Sequence, residues 1–425
     1  MNPTAQERRS AYWVAVLFVM IIMLQRVGIP GVPNVGMLTP VVLGWVVVAY
    51  KQGVVALHRQ SVLGFLVASV FTGAAMLVQS SLVLDSQISV TSWLLVLTVW
   101  APSMVRLVEP GVAGYLTMLR FVTFAAIALA SASVAMLGSQ LAGIPFRDWF
   151  SAVVPQAFQL DGFNTIAPIT YGSQLIRSTA WIGLEPSVVS ALIGIGTLAA
   201  VFVRARSWVI VLLGAGLLAT VSGSGVFIVG LGVMVMVIHP CRRLLVRYSG
   251  VGIVAVIGAI ASPIGALMIE RTTEFQSADS STNLRALEPY AALIPQWIHD
   301  LDGLILGWGA GSSQRVVNDT NIVGLLVPSP AKIFFDYGLI AGSVLAIFIL
   351  SCFWGGYSRA FALSLVLSLW ILQPGVSTSV FVAPVLVFVT LWSPRSGAPL
   401  ELLNFDSLGR RSSKSPASLT MAPSR

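Results

Sequence analysis

Charged residues are scarce in this chain: they make up 9% of 425 residues, whereas a soluble globular domain carries about a quarter. The hydrophobic fraction is 56% and the mean hydropathy is +0.88. So few charges cannot cover the surface of a soluble protein with hydrated side chains. The composition therefore excludes a soluble enzyme, a disordered chain and a nucleic-acid-binding module, and it indicates an integral membrane protein.

Cysteine and histidine are also scarce, with two cysteines and three histidines in the chain. Cys241 lies in a short basic connection, and Cys352 lies in an apolar run. This placement matches neither a metal-ligand spacing nor a disulfide framework. We therefore expect no disulfide, no metal site and no cofactor.

Long apolar runs are abundant, and a membrane-spanning helix needs roughly 20 such residues, or fewer inside a bundle. We predict an all-α polytopic membrane protein, with a single membrane-embedded domain over 1–392. The runs at 207–238 and 359–392 contain turn residues, so each is either two short helices or one broken helix; the flanking charges favour two. The twelve predicted spans lie at about 11–29, 35–50, 61–83, 87–108, 121–143, 186–203, 207–221, 224–238, 250–269, 331–354, 359–373 and 377–392.

The net charge of +8 is distributed unevenly among the connections. With both termini in the cytoplasm, the cytoplasmic segments hold most of the 24 basic residues and the outer segments hold most of the 16 acids. This is the distribution that the positive-inside rule describes. We therefore attribute the excess charge mainly to topology, and we expect residues 393–425 to form a disordered basic cytoplasmic tail.

Two connections on the outer side are long, at about 144–185 and 270–330, and long connections in a compact chain tend to be functional. The first contains amide, hydroxyl and aromatic side chains that suit a glycan-binding surface, with Trp181 and Glu185 as candidate ligands. An interfacial loop held by its aromatic residues is the alternative. Glu185-Pro186-Ser187 is also a typical helix start.

The second outer loop has the densest charge in the chain. Arg271, Arg285 and Arg315 are candidates for binding a phosphate group, because arginine forms bidentate hydrogen bonds with phosphate oxygens. Pairing with the neighbouring acids is the alternative. Between them lies the glycine-rich stretch Gly307–Ser313, which contains Trp308. Such glycine clusters are typical of turns, and this one lacks the ending of a nucleotide-binding loop.

One predicted span contains two ionisable residues, Lys332 and Asp336. They are four residues apart, which places them on one helix face. Ionisable groups in a membrane segment are costly and indicate function by default. A structural pair near the interface, with the lysine reaching outward, is the alternative.

The order of several segments resembles the bacterial O-antigen polymerase and O-antigen ligase family. They are Gly183–Ser187, Leu218–Gly225, Glu270-Arg271, Asn283–Arg285, Leu306–Ser312 and Phe334–Gly342. Gly223 stands where the family usually has arginine, and Val327-Pro328-Ser329 stands near where many members carry a His-Asn pair. These differences favour a polymerase over a ligase.

The resemblance implies glycosyl transfer at the outer face of the bacterial plasma membrane, without metal or nucleotide. A polyprenyl-pyrophosphate-linked oligosaccharide would be the donor, and a hydroxyl of a second lipid-linked unit the acceptor. Arg271, Arg285 and Arg315 would bind the pyrophosphate, with Arg285 also catalytic. Asp336 would be the base, assisted by Lys332, while Trp181, Glu185 and Trp308 would contact the glycan.

Membrane lipids are further expected partners, together with a chain-length regulator or an export complex. Three other interpretations remain open: ligase-type transfer to a lipid or protein acceptor, a lipid-linked glycan flippase or transporter, and a non-catalytic scaffold. The chain shows no internal repeat of the kind that many transporters contain.

Overall fold

The computed structural model describes residues 3–82, 88–160, 162–170, 173–260, 287–320, 325, 327–372, 375–393 and 399–402. Within these residues the fold is all-α. Two small antiparallel ribbons join connections at the ends of helices: β1 (Gly28–Ile29) pairs with β2 (Val32–Gly36), and β3 (Val55–Leu57) pairs with β4 (Val105–Leu107).

The described residues form sixteen α-helices. They are α1 (Ala5–Leu24), α2 (Leu38–Lys51), α3 (Arg59–Leu82), α4 (Val90–Trp100), α5 (Val112–Leu141), α6 (Trp149–Val153), α7 (Pro186–Phe202), α8 (Ser207–Thr220), α9 (Gly223–Val237), α10 (Arg242–Ile260), α11 (Glu288–His299), α12 (Leu301–Leu306), α13 (Ser312–Asp319), α14 (Ser329–Ser351), α15 (Arg359–Leu367) and α16 (Ser379–Phe388). The start of α7 at Pro186 confirms the predicted helix start.

Three of these helices, α3, α5 and α14, are long and apolar enough to cross a membrane. Seven shorter apolar segments of 10–17 residues accompany them. Each of the twelve predicted spans overlaps one of the helices. Two of the short α-helices continue as helical turns of another kind. Helix α15 is followed by a wider π-helical turn at Ser368–Leu372, and α16 by a tighter 3-10 turn at Thr390–Trp392.

Helices α5, α7, α8 and α9 pack closely in the middle of the molecule. Their approach depends on small residues: a Cβ atom on Gly194 of α7 would lie 2.6 Å from the carbonyl oxygen of Gly225 in α9. Helix α7 is apolar around its whole circumference and almost completely buried. A helix of this kind forms the core of a bundle, with the other helices around it.

The structure confirms that residues 207–238 form two helices. Helix α8 ends at Val221, which adopts a left-handed conformation with φ of +46°, and α9 begins two residues later. Ser190 of α7 holds this turn: its hydroxyl donates to the carbonyl of Ser222 and accepts from the backbone N–H of Gly225. The segment 359–392 likewise contains two α-helices, α15 and α16.

Residues 399–402, near the start of the predicted tail, pack against the beginning of α15. Glu401 is fully buried, and its carboxylate accepts hydrogen bonds from the Ser358 hydroxyl at 2.7 Å and the Ala360 backbone N–H at 2.9 Å. Leu400 is buried as well, and its N–H bonds to the carbonyl of Tyr357. A buried acceptor for the free N–H groups at the start of α15 explains why these residues are packed. Residues 403–425 lie outside the described part.

Candidate functional site

The first feature of the site is a break in α14 at Gly338, where φ is +69° and ψ is −178°. The break leaves backbone carbonyls without their helical partners. The carbonyl of Phe335 accepts instead from the N–H of Trp308 at 2.9 Å, and that of Asp336 accepts from the N–H of Gly309 at 3.1 Å. Non-helical backbone at membrane depth is tolerated where protein satisfies it in this way.

We call the turn Gly307–Ser313 together with residues Lys332–Gly338 of α14 the α14 junction. Its two halves touch through their glycines: a Cβ atom on Gly307 would lie 2.4 Å from the backbone nitrogen of Gly338. The side-chain amide of Gln79 in α3 donates to the carbonyls of Leu306 at 2.5 Å and Asp336 at 3.0 Å. Helix α3 therefore fixes both halves of the junction.

The carboxylate of Asp336 lies at the centre of the junction and is fully buried. One oxygen accepts from Lys332 Nζ at 3.0 Å and from the N–H of Gly311 at 2.9 Å. The other accepts from the N–H of Ser313 at 2.9 Å. The Ser312 hydroxyl lies 3.4 Å from this oxygen, but it donates to the carbonyl of Gly309 at 2.6 Å. Asp336 thus caps the N-terminus of α13 from a different helix, where a negative charge is favourable.

The predicted placement of Lys332 and Asp336 on one helix face is confirmed by their buried ion pair. The surroundings of Asp336 do not suit the predicted role as a general base. Both oxygens of the carboxylate are already bound, by Lys332 Nζ and by the N–H groups of Gly311 and Ser313. A base also has to lie within hydrogen-bond reach of the substrate proton, whereas this side chain has no exposed surface.

Two other predicted residues, Trp308 and Arg315, also lie at or beside the junction. The ring of Trp308 stacks on that of Phe335, with centroids 6.1 Å apart, so much of its surface is used in packing. Arg315 lies in the second turn of α13 and is half-buried. Its Nη2 atom is buried and has no hydrogen-bond partner within the described part of the chain.

An unsatisfied guanidinium nitrogen is costly to bury, so its position calls for an explanation. Ser313 Oγ is a second buried polar atom of α13 without a hydrogen-bond partner among the described residues. Arg271 and Arg285, the other two predicted phosphate ligands, lie outside the described residues. The structure therefore brings together Lys332, Asp336, Trp308 and Arg315.

The first outer loop lies against the end of α1. Arg26 and Asp148 form a partly buried bidentate ion pair, with Nη2 and Oδ2 2.7 Å apart and Nη1 and Oδ1 3.0 Å apart. Arg26 also donates to the carbonyl of Trp181 at 3.3 Å. The predicted glycan ligand Trp181 therefore contributes its backbone to the attachment of the loop, and its side chain is half-buried.

Glu185, the other predicted glycan ligand of this loop, is buried at 4% exposure. Its carboxylate accepts from the N–H of Asn164 at 3.0 Å and from the Ser187 hydroxyl at 2.9 Å. Both bonds hold the loop on the first turn of α7. The contacts of Glu185 are those of a residue that organises the loop.

Asp148→Asn is expected to lower the free energy of unfolding by about 2 kcal/mol at neutral pH, because the charged hydrogen bonds with Arg26 are weakened. Burial alone would raise the pKa of Asp148, but hydrogen bonds from Arg26 and Ser151 and the guanidinium charge hold it below its ordinary value. This stabilisation is present above the unfolded-state pKa of about 4 and is lost as the pH falls through the lower native pKa.

Thermal unfolding of the wild type and of Asp148→Asn in detergent at pH 7 and pH 3 checks the prediction. The two proteins should differ at pH 7 and converge toward pH 3. Glu109→Gln, at an exposed position, is the matched control and should behave as the wild type at both values. A difference that persists undiminished at pH 3 would contradict the prediction.

The sequence pattern alone did not indicate Gln79 or Arg26. Gln79 is an amide side chain near the end of an otherwise apolar run, and a polar group in a membrane helix is a signal that can be read from sequence. Arg26 carried no such signal, because its partner Asp148 is more than 120 residues away.

No family model, no curated protein and no solved structure matches this chain.

Proposed function

We propose that this chain is a bacterial plasma-membrane glycosyltransferase of the polysaccharide polymerase type. It would transfer a polyprenyl-pyrophosphate-linked glycan onto a sugar hydroxyl of another lipid-linked repeat unit at the extracytoplasmic face. The observation that carries the proposal is the half-buried guanidinium of Arg315, whose Nη2 has no partner among the described residues, beside a buried junction in a helix of membrane-spanning length.

The chemistry of Arg315 favours a phosphate-containing substrate. A guanidinium presents paired N–H donors that match two phosphate oxygens, and a partly desolvated guanidinium gains more from such a ligand than an exposed one. The only carboxylate of the α14 junction, that of Asp336, accepts from Lys332 Nζ and from the N–H groups of Gly311 and Ser313. The junction therefore offers Arg315 no free anionic group, and a bound phosphate would supply one.

The proposed arrangement has about twelve spans and both termini in the cytoplasm. Contacts among connections support it, because those assigned to one side touch one another. On the outer side, Arg26 bonds to Asp148 and the N–H of Gly375 to the Ser329 hydroxyl. On the inner side, β3 pairs with β4 and Tyr357 bonds to the carbonyl of Pro110.

In this proposal the leaving pyrophosphate gains negative charge as the glycosidic bond breaks, and preorganised cations lower the barrier. Arg315 would bind it, with Arg271 and Arg285 as further ligands from the same loop. Lys332 and Asp336 would act as positioning residues that fix α13 and hence Arg315. Trp308, Trp181 and Glu185 would shape the glycan surface through the segments that they hold.

Arg315→Ala is expected to slow elongation about 10- to 100-fold, the loss that removal of a charge-assisted hydrogen bond produces. Arg315→Lys should restore part of the rate, because lysine keeps the charge but loses the bidentate geometry. The measurement is the ladder of products formed by purified protein in proteoliposomes supplied with a lipid-linked repeat unit.

Arg147→Ala is the matched control, since Arg147 is an exposed outer-loop arginine that stacks on Trp149. It should leave the ladder unchanged. A normal ladder from Arg315→Ala would overturn the proposed role of this residue. Passage of the lipid-linked unit across the vesicle membrane without any elongation by the wild type would reject the polymerase in favour of a flippase.

A further inference from the structure

Helix α11 of the second outer loop presents two faces of different chemistry. One face packs inward: Leu293 is buried, and the ring of Trp297 stacks on Phe334 of α14 with centroids 6.5 Å apart. An adjacent face, about 100° around the helix, is exposed although it is apolar. Ile294 is 41% exposed and Ile298 is 60% exposed.

The exposed face continues beyond both ends of the helix. Leu287 precedes α11 and is 65% exposed, and Leu301 follows it and is 67% exposed. Ala291 and Pro295 lie exposed between them. The only carboxylate or basic side chains of α11 are those of Glu288 in its first turn and His299 at its end. The helix therefore carries an uncharged apolar stripe, which we call the α11 stripe and which comprises Leu287, Ala291, Ile294, Pro295, Ile298 and Leu301.

The attachment of α11 to α14 sets its depth. Phe334 is five residues after the first residue of α14, which is about 7–8 Å along a helix that rises 1.5 Å per residue. An amphipathic helix at a membrane surface buries its apolar face about 5–10 Å into the boundary between headgroups and acyl chains. If α14 crosses the bilayer and its first residue lies at the outer surface, the depth of Phe334 agrees with the depth of such an apolar face.

We infer that α11 lies in the outer surface of the bilayer, parallel to it, with the α11 stripe in contact with lipid acyl chains. The occupant is lipid because the stripe adjoins a helix that itself exposes large aliphatic side chains, such as Ile340 and Ile347. The polar residues at the two ends of α11, Glu288 and His299, are placed to reach the headgroups. The inference depends on α14 spanning the membrane and not on the chemistry that the protein performs.

Site-directed fluorescence tests the inference. The full-length protein carries an NBD fluorophore on a cysteine introduced as Ile298→Cys, or at a second site as Ile294→Cys, and is reconstituted in phosphatidylcholine vesicles. The native cysteines are both buried, and burial raises the pKa of the Cys241 thiol to about 11, so they stay unlabelled. Quenching is measured with iodide in the water and with a doxyl group at carbon 5 of the lipid chain.

The matched controls are Ile347→Cys, a lipid-facing candidate in the last third of α14, and Asn318→Cys at an exposed polar position of α13. We expect lipid quenching at both α11 sites within about twofold of that at position 347, and iodide quenching well below that at position 318. Strong iodide quenching at the α11 sites would place the stripe in water. Protection from both quenchers would mean that protein covers it. Either result overturns the inference.

Discussion

Asp336→Ala is expected to lower the free energy of unfolding by about 3–5 kcal/mol, the cost of removing one partner of a buried ion pair. The substitution leaves the Lys332 ammonium buried without its counter-charge at 3.0 Å. It also removes the acceptor for the N–H groups of Gly311 and Ser313 at the start of α13. Thermal unfolding in detergent measures the effect, and helix α13 should be lost before the rest of the bundle.

Two variants identify the cause. Asp302→Ala, at an exposed carboxylate of the same outer loop, should change stability by only about 0.5 kcal/mol. The double variant Lys332→Met/Asp336→Asn should be more stable than Asp336→Ala, because no unpaired charge remains and the amide oxygen still accepts from the turn. If Asp336→Ala unfolds at the wild-type temperature but is inactive, the residue acts in chemistry and the capping role is contradicted.

Gly338→Ala is expected to destabilise the protein by about 3 kcal/mol or more, through backbone strain and a clash. Only glycine readily adopts its φ of +69° with ψ of −178°. The new Cβ atom would lie 2.3 Å from the carbonyl oxygen of Ile305 and 2.4 Å from the carbonyl carbon of Leu306. The chain can relieve both contacts only by separating the turn Gly307–Ser313 from α14, which would also release Asp336 from α13.

The same substitution at Gly44 is the matched control. A Cβ atom there meets nothing within 4 Å, and the residue lies inside α2. Gly44→Ala should therefore stabilise the protein by up to about 1 kcal/mol. Thermal unfolding of both variants should give shifts of opposite sign. Equal melting temperatures for Gly338→Ala and the wild type would show that the break in α14 is not required.

The sequence predicted the elements of the site better than their contacts. Lys332 and Asp336 were paired correctly, because a spacing of four residues in one helix is a local property. A cluster of glycines is also a local property, and it identified Gly307–Ser313 as a turn. The hydrogen bonds between this turn and Asp336 were not predicted. The two lie some 25 positions apart in the sequence, and no periodicity encodes a contact over such a distance.

The helix break at Gly338 illustrates the same limit. A single glycine in an apolar run is compatible with an unbroken helix, so the sequence predicted a continuous span at 331–354. The break becomes visible only with its partners, because the freed carbonyls need the N–H groups of Trp308 and Gly309. The carboxylate of Glu185 was similarly assigned to a ligand, whereas its partners Asn164 and Ser187 show that it holds the loop.

The sequence by itself determined that this is an all-α protein of apolar helices, because composition and run length follow from the cost of placing side chains and backbone in hydrocarbon. It also determined where ionisable residues enter these helices. The tertiary structure alone decided which of those residues find hydrogen-bond partners. The carboxylate of Asp336 accepts from Lys332 and from two backbone N–H groups, while Arg315 has a buried nitrogen without a partner in the described part of the chain. The reason is that hydrogen bonding between distant segments depends on how the helices pack, and the local sequence does not encode that packing.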